Sequence, residues 1–130
     1  MDIDDMAERI SVATSSADVI SDFLPISIDV DEIDPMVTVH FGSLLDIDLR
    51  PVGDWSIYSF FCGGFSFEEM SPESAISAVL LIATGSASIR STGKWIFREL
   101  VLEFNIDGEE WRDYRSPSRE TPLWEKLLSR

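Results

Sequence analysis

The side chains that could support catalysis in this sequence are few. His40 is the only histidine and Cys62 the only cysteine among 130 residues. A histidine-assisted nucleophile would need these two residues to meet. His40 stands between Val39 and Phe41 on the polar side of a predicted strand, a position typical of an ordinary surface histidine. Cys62 lies in a Phe-Cys-Gly-Gly turn without a basic neighbour in sequence, so we interpret it as a packed or incidental thiol.

An acidic run in the first half has the composition of a calcium loop but not its spacing. If the loop begins at Asp29, then Ile33 occupies the third ligand position and Asp34 the position that requires glycine. The run is therefore not an EF-hand, and we predict no metal site. A weak divalent-cation site at Asp46 and Asp48 stays open as an alternative.

Two glycines followed by a lysine raise the question of a phosphate-binding loop. Seven residues separate Gly85 from Gly93, where the motif needs four, and Trp95 follows Lys94 where Ser or Thr should bind magnesium. We therefore predict neither a cofactor site nor a catalytic residue. Proton chemistry by a carboxylate pair stays open, because 24 acidic residues create many accidental pairs.

Charge is the most informative property of the chain. It has 24 acidic and 10 basic residues, with a formal net charge of −14. Residues 1–69 contain fifteen acids against only Arg9 and Arg50, whereas residues 70–130 are nearly balanced, with nine acids and eight bases. Repulsion from phosphates argues against nucleic-acid or anionic-membrane binding. If the two halves do not interleave in space, the molecule has a one-sided negative field.

The elements that must position these acids are predicted strands. Apolar and polar residues alternate over residues 26–31, 37–41 and 45–50, which is typical of strands with one face on a core and the other in water. The carboxylates placed on the solvent side are Asp29, Asp31, Asp46 and Asp48. If these strands are neighbours, the four carboxylates share one surface.

Such a surface suits a partner rich in Lys and Arg, because charge-assisted pairs with carboxylates give both strength and orientation. Aromatic side chains near it could serve as anchors, since Trp and Tyr dominate interface energies. The predicted partner-binding residues are Asp29, Asp31, Glu32, Asp34, Asp46, Asp48, Trp55 and Tyr58. For the two aromatic residues, packing in the core stays open as the alternative.

The whole pattern predicts one α+β domain over residues 1–130. An apolar stripe begins at Ile3 and indicates an N-terminal helix, and the nearly continuous apolar run Ala75–Ala83 indicates a buried central helix. A C-terminal helix is expected to begin with Thr121 as its cap and Pro122 at its first position. Between these helices we expect a mainly antiparallel sheet of about five to seven strands.

The compartment is predicted from three features. A single cysteine cannot form an internal disulfide, which fits a reducing environment. The acidic start of the sequence differs from the basic and then apolar start of a secretory signal. No apolar run approaches the roughly 20 residues that span a bilayer. We therefore expect a cytoplasmic protein without membrane contact.

A general resemblance adds to this interpretation. It rests on the size of the acidic α+β domain, the apolar helix Ala75–Ala83, the break at Gly85 and the segment Lys94–Trp111. In these features the chain resembles the small acidic immunity proteins that bacteria encode beside polymorphic or contact-dependent growth-inhibition toxins. The resemblance implies a non-enzymatic cytoplasmic inhibitor that binds its cognate toxin and blocks the toxin's active site or substrate-binding face. Toxins of the nuclease type are often basic, which an acidic surface would complement.

Two other functions stay open. A small acidic secretion chaperone would bind an extended segment of an effector, typically as a dimer, through apolar grooves more than through charge. An enzyme of unrecognised type would use convergent carboxylates in an enclosed pocket. Salt distinguishes the first alternative from the inhibitor, because charge-steered association slows steeply as ionic strength rises.

Overall fold

The strands of the computed structural model, which describes residues 1–129, form two antiparallel sheets. In the five-stranded sheet the spatial order follows the chain: β1 (Ile26–Asp31), β2 (Met36–Phe41), β3 (Leu45–Val52), β4 (Ile57–Cys62) and β5 (Phe65–Met70). The three-stranded sheet contains β6 (Ser88–Thr92), β7 (Glu99–Ile106) and β8 (Glu109–Arg115). Short turns join neighbouring strands within the five-stranded sheet, so adjacency follows directly from loop length.

Three α-helices complete the chain: α1 (Ile3–Ser15), α2 (Pro72–Ala83) and α3 (Leu123–Leu128). The side chain of Asp2 accepts a hydrogen bond from the amide of Asp5 to cap α1, and Ser71 caps α2 in the same way. None of the helices in residues 1–129 has the length and apolar character needed to cross a bilayer. The predicted α+β class, with N-terminal, buried central and C-terminal helices, is confirmed.

The division into two sheets differs from the single sheet that we expected. The β5 strand lies beside β8 without forming a ladder with it. At this junction the carboxylate of Asp113 accepts a hydrogen bond from the amide of Ser66 at 2.8 Å. A side chain thus satisfies a backbone donor that a continuous sheet would have paired with a backbone carbonyl.

The core lies on one side of the five-stranded sheet, where α1 and α2 pack. Aromatic rings connect the two sheets there: the Phe104 centroid lies 5.0 Å from that of Phe67 and 6.5 Å from that of Phe60. These spacings are typical of favourable aromatic pairs. The opposite side of β1, β2 and β3 lacks a covering element within residues 1–129, so its side chains meet solvent.

Candidate functional site

The outward side of β1, β2 and β3 collects the predicted carboxylates. Asp29 on β1 is aligned with Thr38 on β2, which is aligned with Asp48 on β3. Asp46 on β3 is aligned with His40 on β2. We call this surface the acidic face; it comprises Asp29, Asp31, Asp46, Asp48, Thr38 and His40, with Glu32 and Asp34 in the adjoining β1–β2 turn. The expectation that the four strand carboxylates share one surface is met, with β2 lying between the two acidic strands.

His40 connects the carboxylates of the two flanking strands. Its Nδ1 lies 2.7 Å from an Asp46 oxygen and its Nε2 lies 2.6 Å from an Asp29 oxygen. Ionised carboxylates only accept hydrogen bonds, so both ring nitrogens must donate, and only the imidazolium has two N–H groups. The geometry therefore favours the charged form of His40.

The same contacts control the pKa of His40. Hydrogen bonds to Asp46 and Asp29 raise this pKa above its ordinary value of 6.5, and partial desolvation opposes them. The His40 side chain is 29% exposed, whereas Asp29 and Asp46 are 79% and 61% exposed. The carboxylates therefore remain accessible to a partner while they hold the histidine in place.

The acids near the β1–β2 turn have different local partners. One Asp31 oxygen accepts hydrogen bonds from the amides of Ile33 and Asp34, a side-chain cap that shapes the turn. Asp34 forms an ion pair with Arg50, whose Nη1 lies 3.2 Å from each of the two Asp34 carboxylate oxygens. Glu32 is exposed in the same turn. Asp31 is thus a structural residue of the turn as well as a surface charge.

The two aromatic residues expected on this surface lie elsewhere. Tyr58 is fully buried, and its hydroxyl donates to the carbonyl of Met1 at 2.6 Å. Alternation along β4 explains the error, because Tyr58 points to the same side as the buried Phe60. Trp55, in the β3–β4 turn, packs against the core, and its carbonyl accepts from the Met1 ammonium group. The burial of Tyr58 does not fit the role of an exposed anchor, whereas Trp55 is only partly buried and its contact with a partner stays a prediction.

The aromatic ring that borders the acidic face is Phe61, which sequence analysis did not single out. Phe61 on β4 is aligned with Asp48 on β3 and is 38% exposed. Its neighbour Cys62 points to the other side and is fully buried, and burial raises the pKa of its thiol to about 12. His40 and Cys62 therefore lie on opposite sides of the sheet and cannot act together.

Three arginines of the C-terminal half are paired with acids of that same half. Glu103 contacts both Arg90 and Arg112, at 2.8 and 3.0 Å. Arg115 is paired with the buried Glu125. Within residues 1–129 none of these arginines reaches the acidic face, where Arg50 and His40 are the cations. The ion pairs of Arg90, Arg112 and Arg115 therefore do not involve the carboxylates of the acidic face.

Across residues 1–129, the His, Cys, Asp and Glu side chains do not form a group of three or more arranged to hold a metal ion. Comparisons of the chain with protein-family models, with curated proteins and with solved structures find no match. The fold and the site together define a small α+β protein with one strongly acidic sheet face.

Proposed function

We propose that this chain is a non-enzymatic cytoplasmic immunity protein that binds and neutralises a cationic bacterial toxin through the acidic face. The toxin would be of nuclease type, because a protein that binds nucleic-acid phosphates does so with Lys and Arg side chains, and the same side chains can bind carboxylates. Binding over those side chains would cover the surface that the toxin uses for its own substrate.

One observation carries this proposal: the acids of the sheet lie together, and their ion pairs are with Arg50 and His40, not with Arg90, Arg112 or Arg115. Those arginines contact Glu103, Glu110 and Glu125 instead. A negative surface of this kind accelerates encounter with a cationic protein by about 10–1,000-fold. The acidic face also rests on a three-strand ladder, so its charges are held in fixed rows.

The experiment co-expresses this chain with the C-terminal domain encoded by the adjoining reading frame. We expect that domain to inhibit growth when expressed alone and to be tolerated in the presence of the chain. Purified proteins should form a complex whose association rate falls steeply between low and high salt. A domain that is harmless, or one that stays toxic and unbound in the presence of the chain, would contradict the proposal.

The same measurement separates the secretion-chaperone alternative. A chaperone that holds an effector segment in an apolar groove would associate at rates almost independent of salt. Its affinity would also survive reversal of the charges on the acidic face. The inhibitor proposed above predicts the opposite result in both measurements.

A further inference from the structure

Strand β1 has an open edge. The order of strands places β1 at one margin of the five-stranded sheet, with β2 as its single ladder partner. The other margins in residues 1–129 are occupied: β5 lies against β8, and the edge of β6 forms a bridge with Ser129. An open edge offers backbone donors and acceptors to another strand.

The register shows which backbone groups of β1 point away from β2, past the edge of the sheet. The amide of Gly42 donates to the carbonyl of Pro25 at 2.9 Å, so this aligned pair is of the hydrogen-bonded kind. Such pairs alternate along an antiparallel ladder, so the groups that bond to β2 belong to Ser27, Asp29 and Asp31. The N–H and C=O groups of the intervening residues point away from the sheet. These residues are Ile26, Ile28 and Val30.

A groove runs beside this edge, between the end of α1 and the start of β1. Its volume is about 410 Å³, and it is lined by Ser11, Thr14, Ser15, Leu24, Pro25, Ile26 and Ile28. The lining is polar on the side of α1 and apolar on the side of β1, where Leu24 is 53% and Val30, farther along the edge, 37% exposed. The volume lies within the range of roughly 300–1,000 Å³ found for ligand pockets. Apolar side chains of an added strand would fit here.

The two sides of the edge differ in chemistry. On the outward side, Asp29 and Asp31 would flank the side chains of an added strand, while on the inward side Ile26 and Ile28 would do so. The added strand should therefore alternate basic and apolar residues. A second copy of β1 does not meet this requirement, because its own Asp29 and Asp31 would be brought beside those of the first.

We propose that β1 is the docking edge for an extended segment of the partner, which adds a strand with Lys or Arg on its outward side and apolar residues on its inward side. This inference rests on the proposed function, since it names the part of the cationic partner that the acidic face receives. Backbone hydrogen bonds would supply affinity, and the alternating side chains would supply selectivity.

The test uses a synthetic peptide of alternating lysine and valine, with the glutamate–valine peptide as its matched control. We expect the lysine peptide alone to bind the full chain and to slow amide hydrogen exchange at Ile28 and Val30. The variant Val30→Pro removes an N–H group that points away from β2, so the hydrogen bonds between β1 and β2 are kept. It should lower peptide affinity at least tenfold. Ser11→Trp should do the same by filling the groove, whereas Val12→Trp, on another part of α1, should not.

Three results would overturn this inference: equal binding of the two peptides, binding without protection of Ile28 and Val30, or unchanged affinity in Val30→Pro and Ser11→Trp. Far-UV circular dichroism of each variant establishes that it is folded, and the two variants alter different elements. Failure here leaves the proposed function standing if reversal of the acidic-face charges still abolishes toxin binding, so the two failures can be told apart.

Discussion

His40 joins three strands through its side chain as well as its backbone. His40 belongs to β2, and its ring nitrogens contact Asp29 on β1 and Asp46 on β3. Two carboxylates that would repel each other are thereby held by one shared cation. The histidine that looked like an ordinary surface residue in the sequence is the organising residue of the acidic face.

The raised pKa of His40 predicts how stability depends on pH. Its stabilising contribution is fully present below the unfolded-state pKa of about 6.5 and is lost as pH rises through the higher folded-state pKa. The free energy of unfolding should therefore decline across this interval in the natural protein and not in His40→Asn. Denaturant titrations between pH 5.5 and 8.5 measure it, and a decline of equal size in both proteins would contradict the assignment.

The buried hydroxyl of Tyr58 contributes to stability through its hydrogen bond to Met1. Burial, together with the charges of Asp2 and Asp5, raises the pKa of Tyr58 to about 12. The variant Tyr58→Phe loses the hydrogen bond to the Met1 carbonyl, and we expect a loss of about 1 kcal/mol in unfolding free energy. Toxin affinity should not change, because the ring is buried. Calorimetry that showed weaker binding with intact stability would return Tyr58 to the interface.

Among the strands, β1, β2 and β3 were predictable from sequence, whereas residues 86–90 could have been a strand or a loop. Alternation identified the inward and outward residues of β1, β2 and β3, and the short turns between them implied adjacency. The same alternation could have placed Tyr58 in the core, because Tyr58 and Phe60 are two residues apart and therefore lie on the same side of β4. The contacts of His40 could not be predicted, because they depend on the register of β1, β2 and β3. The division into two sheets could not be predicted either, because it depends on long-range packing of β5 against β8.

The turn between β4 and β5 shows an element fixed by close packing. At Gly63, which has a φ of +53°, an added Cβ would lie 2.2 Å from Cζ2 of the buried Trp124. Gly53 has a φ of +64°, but an added Cβ there meets nothing within 4 Å. Trp124 on α3 therefore requires glycine at this turn, which ties the C-terminal helix to the sheet.

The two glycines form a matched pair for mutagenesis. Gly53→Ala should cost about 1–2 kcal/mol, the conformational penalty of a left-handed residue. Gly63→Ala carries the same penalty and must also displace Trp124, so we expect a clearly larger loss of unfolding free energy. Thermal and urea denaturation provide the comparison. Equal losses in the two variants would show that α3 does not pack on this turn as described.

At the scale of the whole molecule, charge is separated instead of balanced. Arg9 contacts Glu73 between the two halves of the chain, but the ion pairs of the C-terminal arginines stay within their own half. The exposed pairs among these, such as Arg9 with Glu73, contribute little to stability, at most about 1 kcal/mol each, whereas the pair of Arg115 with Glu125 is buried. None of these pairs uses a carboxylate of the acidic face, where Asp34 pairs with Arg50.

The association rate with the toxin domain, measured at low salt, tests this account most directly. The decisive variant reverses Asp29, Asp46 and Asp48 to Lys and retains Asp31, whose carboxylate shapes the β1–β2 turn. A control variant makes the same change in net charge by reversing three exposed acids of the C-terminal half: Asp107, Glu109 and Glu120. We predict that the first variant slows association at least tenfold and the control much less. Equal slowing in both variants, or no slowing in the first, would contradict the claim that the acidic face receives the partner.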